Sequence, residues 1–248
     1  MRQIVLVVVT GFLLAVAAIA QERRPEQNMA GAGLVHVDDG YRGMDGRTFA
    51  IPFIMVDSER FFIRGPQAGI HLYGNPNSGL DLIVQAGFGG YEASDSPYFD
   101  GMEDRDFTLF AGMQWTHRFN RRTGVSITLT TDVLGNADGM QGSAALNRNW
   151  FAGTWMFTAT LQAEWISGDV VDYYYGVRPE EARENRPAYR GEASWNPGIS
   201  LMVTRPFGKR GVFMAIGGYG LYGSGITDSP LVEQNGAMFF MTGVGWSF

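Results

Sequence analysis

Apolar and polar residues alternate one by one over long stretches of this chain. Between residues 107 and 119 the odd positions are mainly apolar or aromatic, and most even positions are polar or glycine. Residues 151–166 repeat the pattern. A period of two is typical of β-strands with one apolar and one polar face. A soluble β-sandwich would show the same alternation, so the period alone leaves two architectures open.

The length of the alternating runs separates these architectures. The two runs contain 13 and 16 residues, whereas strands of soluble proteins typically have about 5–6 residues. Tilted membrane-spanning strands need about 9–11 residues. The pattern therefore favours an all-β fold, a transmembrane antiparallel up-and-down β-barrel.

Eleven segments of the chain have a strand pattern. Because bacterial barrels normally have an even number of strands and both termini in the periplasm, we expect ten or twelve strands. The connections alternate between short turns, among them residues 74–78, 120–122, 147–149 and 205–210, and long loops, which we expect outside the cell. The candidate strands are residues 31–38, 47–57, 60–73, 79–91, 107–119, 125–133, 139–149, 151–166, 191–204, 211–222 and 236–248.

The last predicted strand ends on an aromatic residue. Trp246 and Phe248 belong to the largely apolar, even-numbered row of residues 236–248. We interpret these two residues as part of the tail that the barrel assembly machinery recognises. The apolar row fits a face in contact with outer-membrane lipid.

The first 20 residues have the features of a secretory signal peptide. A basic start precedes an apolar run from Ile4 to Ile19, and Ala18 and Ala20 form an A-x-A cleavage site. We expect cleavage after Ala20, then a short segment over residues 21–30 and a barrel over residues 31–248. An uncleaved anchor is the alternative, but 16 residues are short for a spanning helix.

Composition restricts the chemistry of the protein. The chain has no cysteine, which excludes a lipoprotein anchor, disulfides and thiolate chemistry. Its formal net charge of -6 argues against nucleic acid as a partner. After Ile19, no run of about 18 apolar residues occurs, so a polytopic helical membrane protein is also excluded.

Sequence motifs typical of catalytic sites are sparse. The three histidines are far apart, no metalloprotease, nucleophile-elbow or P-loop motif occurs, and we expect no catalytic, cofactor or metal site. His117 beside a serine or aspartate would be the enzyme alternative, although its place between Trp115 and Phe119 suits a membrane interface. The acidic residues of segment 92–106 could gather oxygen ligands for a divalent cation, but we favour a solvated loop.

Two predicted loop segments carry distinctive motifs, Tyr173-Tyr174-Tyr175-Gly176-Val177 in the first and Asp228-Ser229-Pro230 in the second. Both segments resemble the MipA/OmpV family of outer-membrane proteins. The first is similar to its Y-x-G-V…A…P-x-Y segment and the second to its D-S-P-[IL]-V stretch, while Arg178 directly after the first block departs from the family pattern. Tyr41 to Gly43 with Pro52 is similar to its N-terminal pattern. The matching residues are Tyr174, Gly176, Val177, Ala182, Pro187, Tyr189, Asp228, Ser229 and Pro230.

The resemblance implies a scaffold for murein synthesis. Such a barrel would bring a lytic transglycosylase and a penicillin-binding protein together at the bacterial outer membrane. A small-solute channel or an adhesin is the alternative, although bulky inward residues such as Met202 and Met214 argue against a general pore. The scaffold needs a surface on the periplasmic turns, and the basic cluster there is Arg205, Lys209 and Arg210.

Overall fold

The computed structural model describes residues 28–87 and 90–248. The predicted signal peptide and most of the segment after it lie outside these residues. Twelve antiparallel strands close into a barrel in which each strand pairs with its sequence neighbours and the first pairs with the last. They are β1 (Met29–Asp38), β2 (Arg47–Asp57), β3 (Phe61–Arg64), β4 (Gln67–Gly74), β5 (Ser78–Gly87), β6 (Thr108–Asn120), β7 (Thr123–Asp132), β8 (Met140–Ala152), β9 (Trp155–Ile166), β10 (Ser194–Phe207), β11 (Gly211–Leu221) and β12 (Gly236–Ser247).

The strand count confirms one of the two expected numbers, and the structure corrects three predicted boundaries. The turn predicted at 205–210 is limited to 208–210, because β10 continues to Phe207. The segment 60–73, predicted as one strand, is the hairpin β3–β4, which turns at Gly65 with φ of 61°. The turn predicted at 147–149 lies instead at Gly153 and Thr154, because β8 continues to Ala152. The alternation is unbroken through 147–149, so the asparagines there are strand residues.

The outer surface of the barrel is apolar. Side chains at alternate positions of each strand point outward, and among them Leu34, Ile127, Leu161 and Phe240 each expose between 48% and 55% of their area. Exposed large apolar residues on every side of a closed barrel suit contact with hydrocarbon and not with water. Within the described residues, no helix has both the length and the apolar character needed to cross a membrane.

The connections divide the barrel into two different ends. Five turns of two or three residues occupy one, here called the turn end, together with both termini of the barrel. A sixth short turn, at Gly65 and Pro66, joins β3 to β4 within the barrel wall. Longer loops occupy the other, here called the loop end, and include α1 (Gly168–Tyr175), α2 (Ser224–Thr227) and short 3-10 turns at Ala93–Asp95, Pro97–Phe99 and Pro179–Glu181.

The lumen has two chemically different walls. The polar wall, on β5 to β10, includes Gln114, Thr128, Gln141, Thr160 and Glu164, all buried. A small pocket of about 10 Å³, lined by residues that include Thr128, Gln141 and Glu164, lies against this wall. The apolar wall, on β10 to β12 with β1 and β2, consists of Val35, Val37, Phe49, Ile51, Met202, Ile216, Phe239 and Met241.

The junction between β2 and β3 is the shortest ladder of the barrel. It contains the three pairs Met55 with Arg64, Val56 with Ile63 and Asp57 with Phe62. An inward-facing charge network bridges it: Asp57 accepts from Arg64 at 2.7 Å and contacts His71 on β4 at 3.2 Å. His71 in turn contacts Asp81 on β5 at 2.7 Å. One network thus joins four strands where backbone pairing is scarce.

Candidate functional site

The loops fold into one packed layer over the loop end, here called the cap. Its central cluster of buried side chains draws on four different loops, so these four loops pack against one another. Aromatic rings meet there at edge and stacked distances of 4.4 to 5.8 Å. The cluster consists of Tyr41, Tyr91, Phe99, Met102, Val177 and Leu231.

The first family-like segment runs through the centre of the cap. Helix α1 buries Tyr174, whose carbonyl oxygen accepts a hydrogen bond from the hydroxyl of Tyr41 at 3.2 Å. Position 176 requires glycine, because a Cβ atom there would lie 2.2 Å from the carbonyl oxygen of Asp172. Val177 then pairs with Tyr189 as an isolated antiparallel bridge.

The remaining residues of this segment have unequal environments. Ala182 packs against the central cluster, and the Tyr189 hydroxyl donates to the carbonyl oxygen of Gly225 at 2.8 Å. Pro187 is exposed. Most of the segment therefore serves the architecture of the cap.

The second family-like segment is tied to the first. The Ser229 hydroxyl donates to the carbonyl oxygen of Tyr175 at 2.6 Å and accepts from the N–H of Leu231 at 3.1 Å. Arg42 donates to the carbonyl oxygen of Pro230 at 3.1 Å. Asp228 is exposed at the end of α2. The structure thus brings together, at the loop end, the two motifs that are distant in sequence.

A buried ion pair locks two cap loops together. Arg105 donates to both carboxylate oxygens of Glu181 at 2.9 Å, and the two side chains are 2% and 3% exposed. Burial alone would raise the pKa of Glu181, but hydrogen bonds from the N–H groups of Glu103 and Arg178 and from Arg105 lower it below its ordinary value.

The acidic segment 92–106 is paired with the loop that contains α1. Glu103 contacts Arg178, and Asp100 contacts Arg183 at 3.1 Å. Two arginines of the loop that contains α1 therefore pair with acidic residues of another loop. Among the described residues, no group of three or more potential ligands is placed to hold a metal ion.

The residues predicted to bind partners lie at the opposite end of the barrel. Lys209 and Arg210 occupy the turn after β10 and are exposed. Arg205 points outward from β10, with its guanidinium carbon 4.9 Å from the centre of the Trp155 ring. This position places Arg205 at the edge of the apolar belt, where a long cationic side chain reaches the polar interface.

A second basic group at the turn end was missed by the sequence reasoning. Arg121 and Arg122 form the turn after β6, and Arg118 and Arg148 lie close to it on β6 and β8. The signal was the Arg-Arg pair itself, which we had interpreted only as a turn.

The two ends of the barrel have opposite charge. Within the described part of the chain, the five loops at the loop end carry 17 acidic and 6 basic residues, whereas the five turns carry 1 acidic and 5 basic residues. The turn end is therefore suited to anionic surfaces, and the loop end is not.

The aromatic residues at the C-terminus lie on the outer surface of the turn end. Trp246 is 52% exposed and meets Phe207 edge to face, with ring centres 6.1 Å apart. Phe248 is 66% exposed, and its N–H donates to the carbonyl oxygen of Asn28. Both side chains are accessible to another protein or to lipid.

His117 contacts a serine, and its ring lies between two aromatic side chains. Its Nδ1 lies 2.8 Å from the hydroxyl oxygen of Ser78. The ring stacks on Trp115 and meets Phe119 edge to face on the outer surface. In the described residues, its other ring nitrogen has no carboxylate within hydrogen-bonding distance, so the base lacks an orienting acid.

Comparison with known proteins assigns the chain to a family. The family model for MltA-interacting protein MipA matches residues 30–248. The chain belongs to the MipA family. Outer membrane protein YiaT of Escherichia coli K12 is 31% identical over 221 residues, which cover 88% of this chain and 89% of the relative. MltA-interacting protein of the same strain is 27% identical over 229 residues, with the same shares covered.

A solved structure supplies a further likeness. An outer membrane channel from Pseudomonas putida F1 is 14% identical, with 92% of this chain and 98% of that chain covered and a TM-score of 0.46.

Family membership and the barrel architecture place this member of the MipA family in the outer membrane. Short turns and both barrel termini face the periplasm in such proteins, and long loops face outward. The cap is therefore extracellular, and the basic turn end faces the periplasm. The family-like motifs and the predicted partner-binding cluster consequently lie on opposite sides of the membrane.

Proposed function

We propose that this protein is a non-enzymatic scaffold that holds murein-synthesis enzymes at the periplasmic face of the outer membrane. The partners are a lytic transglycosylase and a penicillin-binding protein. The observation that carries the proposal is membership in the MipA family, in which one relative is named MltA-interacting protein. A scaffold of this kind needs an accessible periplasmic surface, and the exposed basic turns provide one.

The lumen supports a role other than solute passage. Side chains from both walls point into it, and the cap covers its extracellular mouth with a packed cluster. A diffusion channel of twelve strands would need a wet path between these side chains. The scaffold requires no such path, which is why we prefer it to the channel. Outer-membrane lipid and the barrel assembly machinery remain the other expected partners, the latter through Trp246 and Phe248.

Two basic patches at the periplasmic end are candidates for the partner site. The first contains the sequence-predicted Arg205, Lys209 and Arg210, of which Arg205 leans towards the lipid boundary. The second contains Arg121 and Arg122. Charge at such a surface mainly increases the association rate and weakens with salt, so both patches predict salt-sensitive capture.

A capture experiment with purified components tests the proposal. The folded barrel in detergent is immobilised and offered a purified lytic transglycosylase or penicillin-binding protein at low and high salt. We expect the triple variant with alanine at 205, 209 and 210 to capture less enzyme than the wild type. An alanine variant of Arg121 and Arg122 shows whether the second patch contributes.

The control is Arg190→Ala, which removes one exposed cation from the extracellular cap. It should leave capture unchanged. If all variants retained both enzymes, the basic patches would not be the partner site. If the wild type captured neither enzyme, the scaffold function would be wrong.

A further inference from the structure

The barrel wall has a gap beside β2. Only residues 55–57 of this strand pair with β3, and the β3–β4 hairpin turns back at Gly65 and Pro66. Residues 47–53 pair with β1 on one edge, and no strand of the described residues pairs with the other edge. We call this gap the window; its sides are the free edge of β2 and the ends of β4 and β5.

The height of the window is a large part of the height of the membrane's apolar layer. Barrel strands tilt by about 35–45° and rise about 3.3 Å per residue, so residues 47–53 extend roughly 15–20 Å along the barrel axis. The apolar band of such barrels is about 25 Å tall. Arg47 closes the upper side by its contact with Asp95 of the cap at 3.6 Å. The window therefore opens sideways, into the extracellular half of the bilayer.

The free edge of β2 presents backbone groups to the window. Gly65 N–H donates to the carbonyl oxygen of Ile54 at 3.1 Å, so the even-numbered residues of β2 point their N–H and C=O groups to this side. These residues are Thr48, Ala50 and Pro52. Proline has no N–H to leave unpaired, which makes it suitable for an unpaired edge. Two donors nevertheless remain, and hydrocarbon alone cannot satisfy them.

The apolar wall of the lumen begins at the window. Phe49, Ile51 and Phe53 point inward from β2 and are only half-buried. The inward residues of the adjacent strand, Val35 and Val37, are 4% and 1% exposed. Burial thus decreases towards the window, as expected where a wall is open. The apolar surface continues from there to Phe239, Met241 and Ile216.

We propose that the window admits an acyl chain of an outer-membrane lipid to the apolar wall. The window is continuous with the lipid-facing surface, where Ile54 and Ile70 are 42% and 51% exposed. An alkyl chain matches the apolar wall, and the ester carbonyl of an acyl lipid is an acceptor for the edge N–H groups of Thr48 and Ala50. This combination selects an amphiphilic lipid over a water-soluble polar ligand.

The absence of cysteine from the chain makes a site-specific test straightforward. A fluorophore is attached to Ile51→Cys, on the apolar wall, and in a separate variant to Ser143→Cys, which faces the lumen from β8 on the opposite, polar wall. A third label at Ile54→Cys reports direct lipid contact. Each variant is reconstituted in vesicles whose phospholipids carry a nitroxide in the middle of the acyl chain.

We expect the label at position 51 to be quenched nearly as strongly as the label at position 54. The label at position 143 should be quenched much less. Equal, weak quenching at 51 and 143 would overturn the proposal. Quenching at position 51 by a water-soluble quencher but not by the lipid nitroxide would also overturn it, because the window would then open to water.

A second measurement needs no luminal label. A phospholipid with a photoreactive group in its acyl chain is cross-linked to the wild-type barrel, and the modified peptides are identified by mass spectrometry. The proposal requires labelling on the inward residues 49, 51 and 53, with a several-fold loss in Phe49→Gln. Folding of that variant is checked by the difference in gel migration between unheated and heated samples. Labelling confined to outward residues would exclude luminal binding.

Discussion

Glu181 connects two loops of the cap through one carboxylate. It accepts from Arg105 and from the N–H groups of Glu103 and Arg178. In Glu181→Gln, the Arg105 guanidinium would stay buried without an opposite charge, which costs about 3–5 kcal/mol. We therefore expect protease added to intact proteoliposomes to cleave the cap loops of this variant faster than those of the wild type.

The matched control is Arg183→Ala, which breaks the exposed pair with Asp100. Exposed pairs contribute about 0–1 kcal/mol, so this variant should resist protease as the wild type does. Equal resistance of Glu181→Gln and the wild type would mean that the cap does not depend on the buried pair.

Asp39 makes the stability of the cap depend on pH. Its side chain is 9% exposed, and burial raises its pKa to about 7, against the opposing effect of Arg47. Because the folded state holds this proton more tightly than the unfolded state, stability is highest below the ordinary value of 3.8 and falls as pH rises through about 7.

Hydrogen exchange of the backbone amides of Arg42 and Glu233, which donate to the carbonyl oxygens of Leu231 and Gly40, would measure this dependence, after correction for intrinsic rates. We expect protection to decrease as pH is raised through about 7, and Asp39→Asn to remove most of the decrease. A wild-type protection profile that is flat across this range would contradict the assignment.

At the residue scale, the sequence identified the motif residues but not their role. Tyr174, Val177 and Ser229 were recognised by their resemblance to a family, and the structure places all three in cap contacts. Their partners, such as Tyr41 and Glu181, come from other loops. No periodic pattern connects residues across loops, so those contacts could not be predicted.

At the element scale, the short β2–β3 ladder depends on side chains. Asp57 contacts Arg64 and His71, which belong to the next two strands. Asp57→Asn should weaken both contacts and leave Arg64 without its ion-pair partner in the described residues. We expect the folded barrel to lose its resistance to detergent denaturation at a lower temperature than the wild type.

Gel migration after heating to increasing temperatures would measure this loss. Glu59→Gln, a charge removal at an exposed position in the adjacent turn, is the control and should behave as the wild type. An unchanged unfolding temperature of Asp57→Asn would show that the three backbone pairs suffice.

The same region shows the limit of pattern-based strand prediction. Strands of 10 to 14 residues, such as β6 and β10, were found because the alternation persists over many positions. The four residues of β3 are too few to establish a period. The Gly65-Pro66 dipeptide was the available signal, since this pair commonly marks turns. Because this turn was overlooked, eleven candidate strands were predicted in place of twelve.

At the scale of the whole molecule, the two ends of the barrel, on opposite sides of the membrane, carry opposite charge. The acidic cap is a closed, internally paired layer, whereas the basic turns are short and exposed. The alternation of short and long connections predicted this division into two ends. The extent of the cap could not be predicted, because it depends on packing among loops with no regular pattern.

This closed cap leads to a prediction about ion passage. If the cap blocks the barrel, the wild type in a planar bilayer should show little steady current. Loosening the cap by Glu181→Gln should increase the current and make it fluctuate, because the extracellular mouth would open intermittently. Arg183→Ala should resemble the wild type. A large, steady wild-type current that Glu181→Gln leaves unchanged would instead favour the channel, since the path would then bypass the cap.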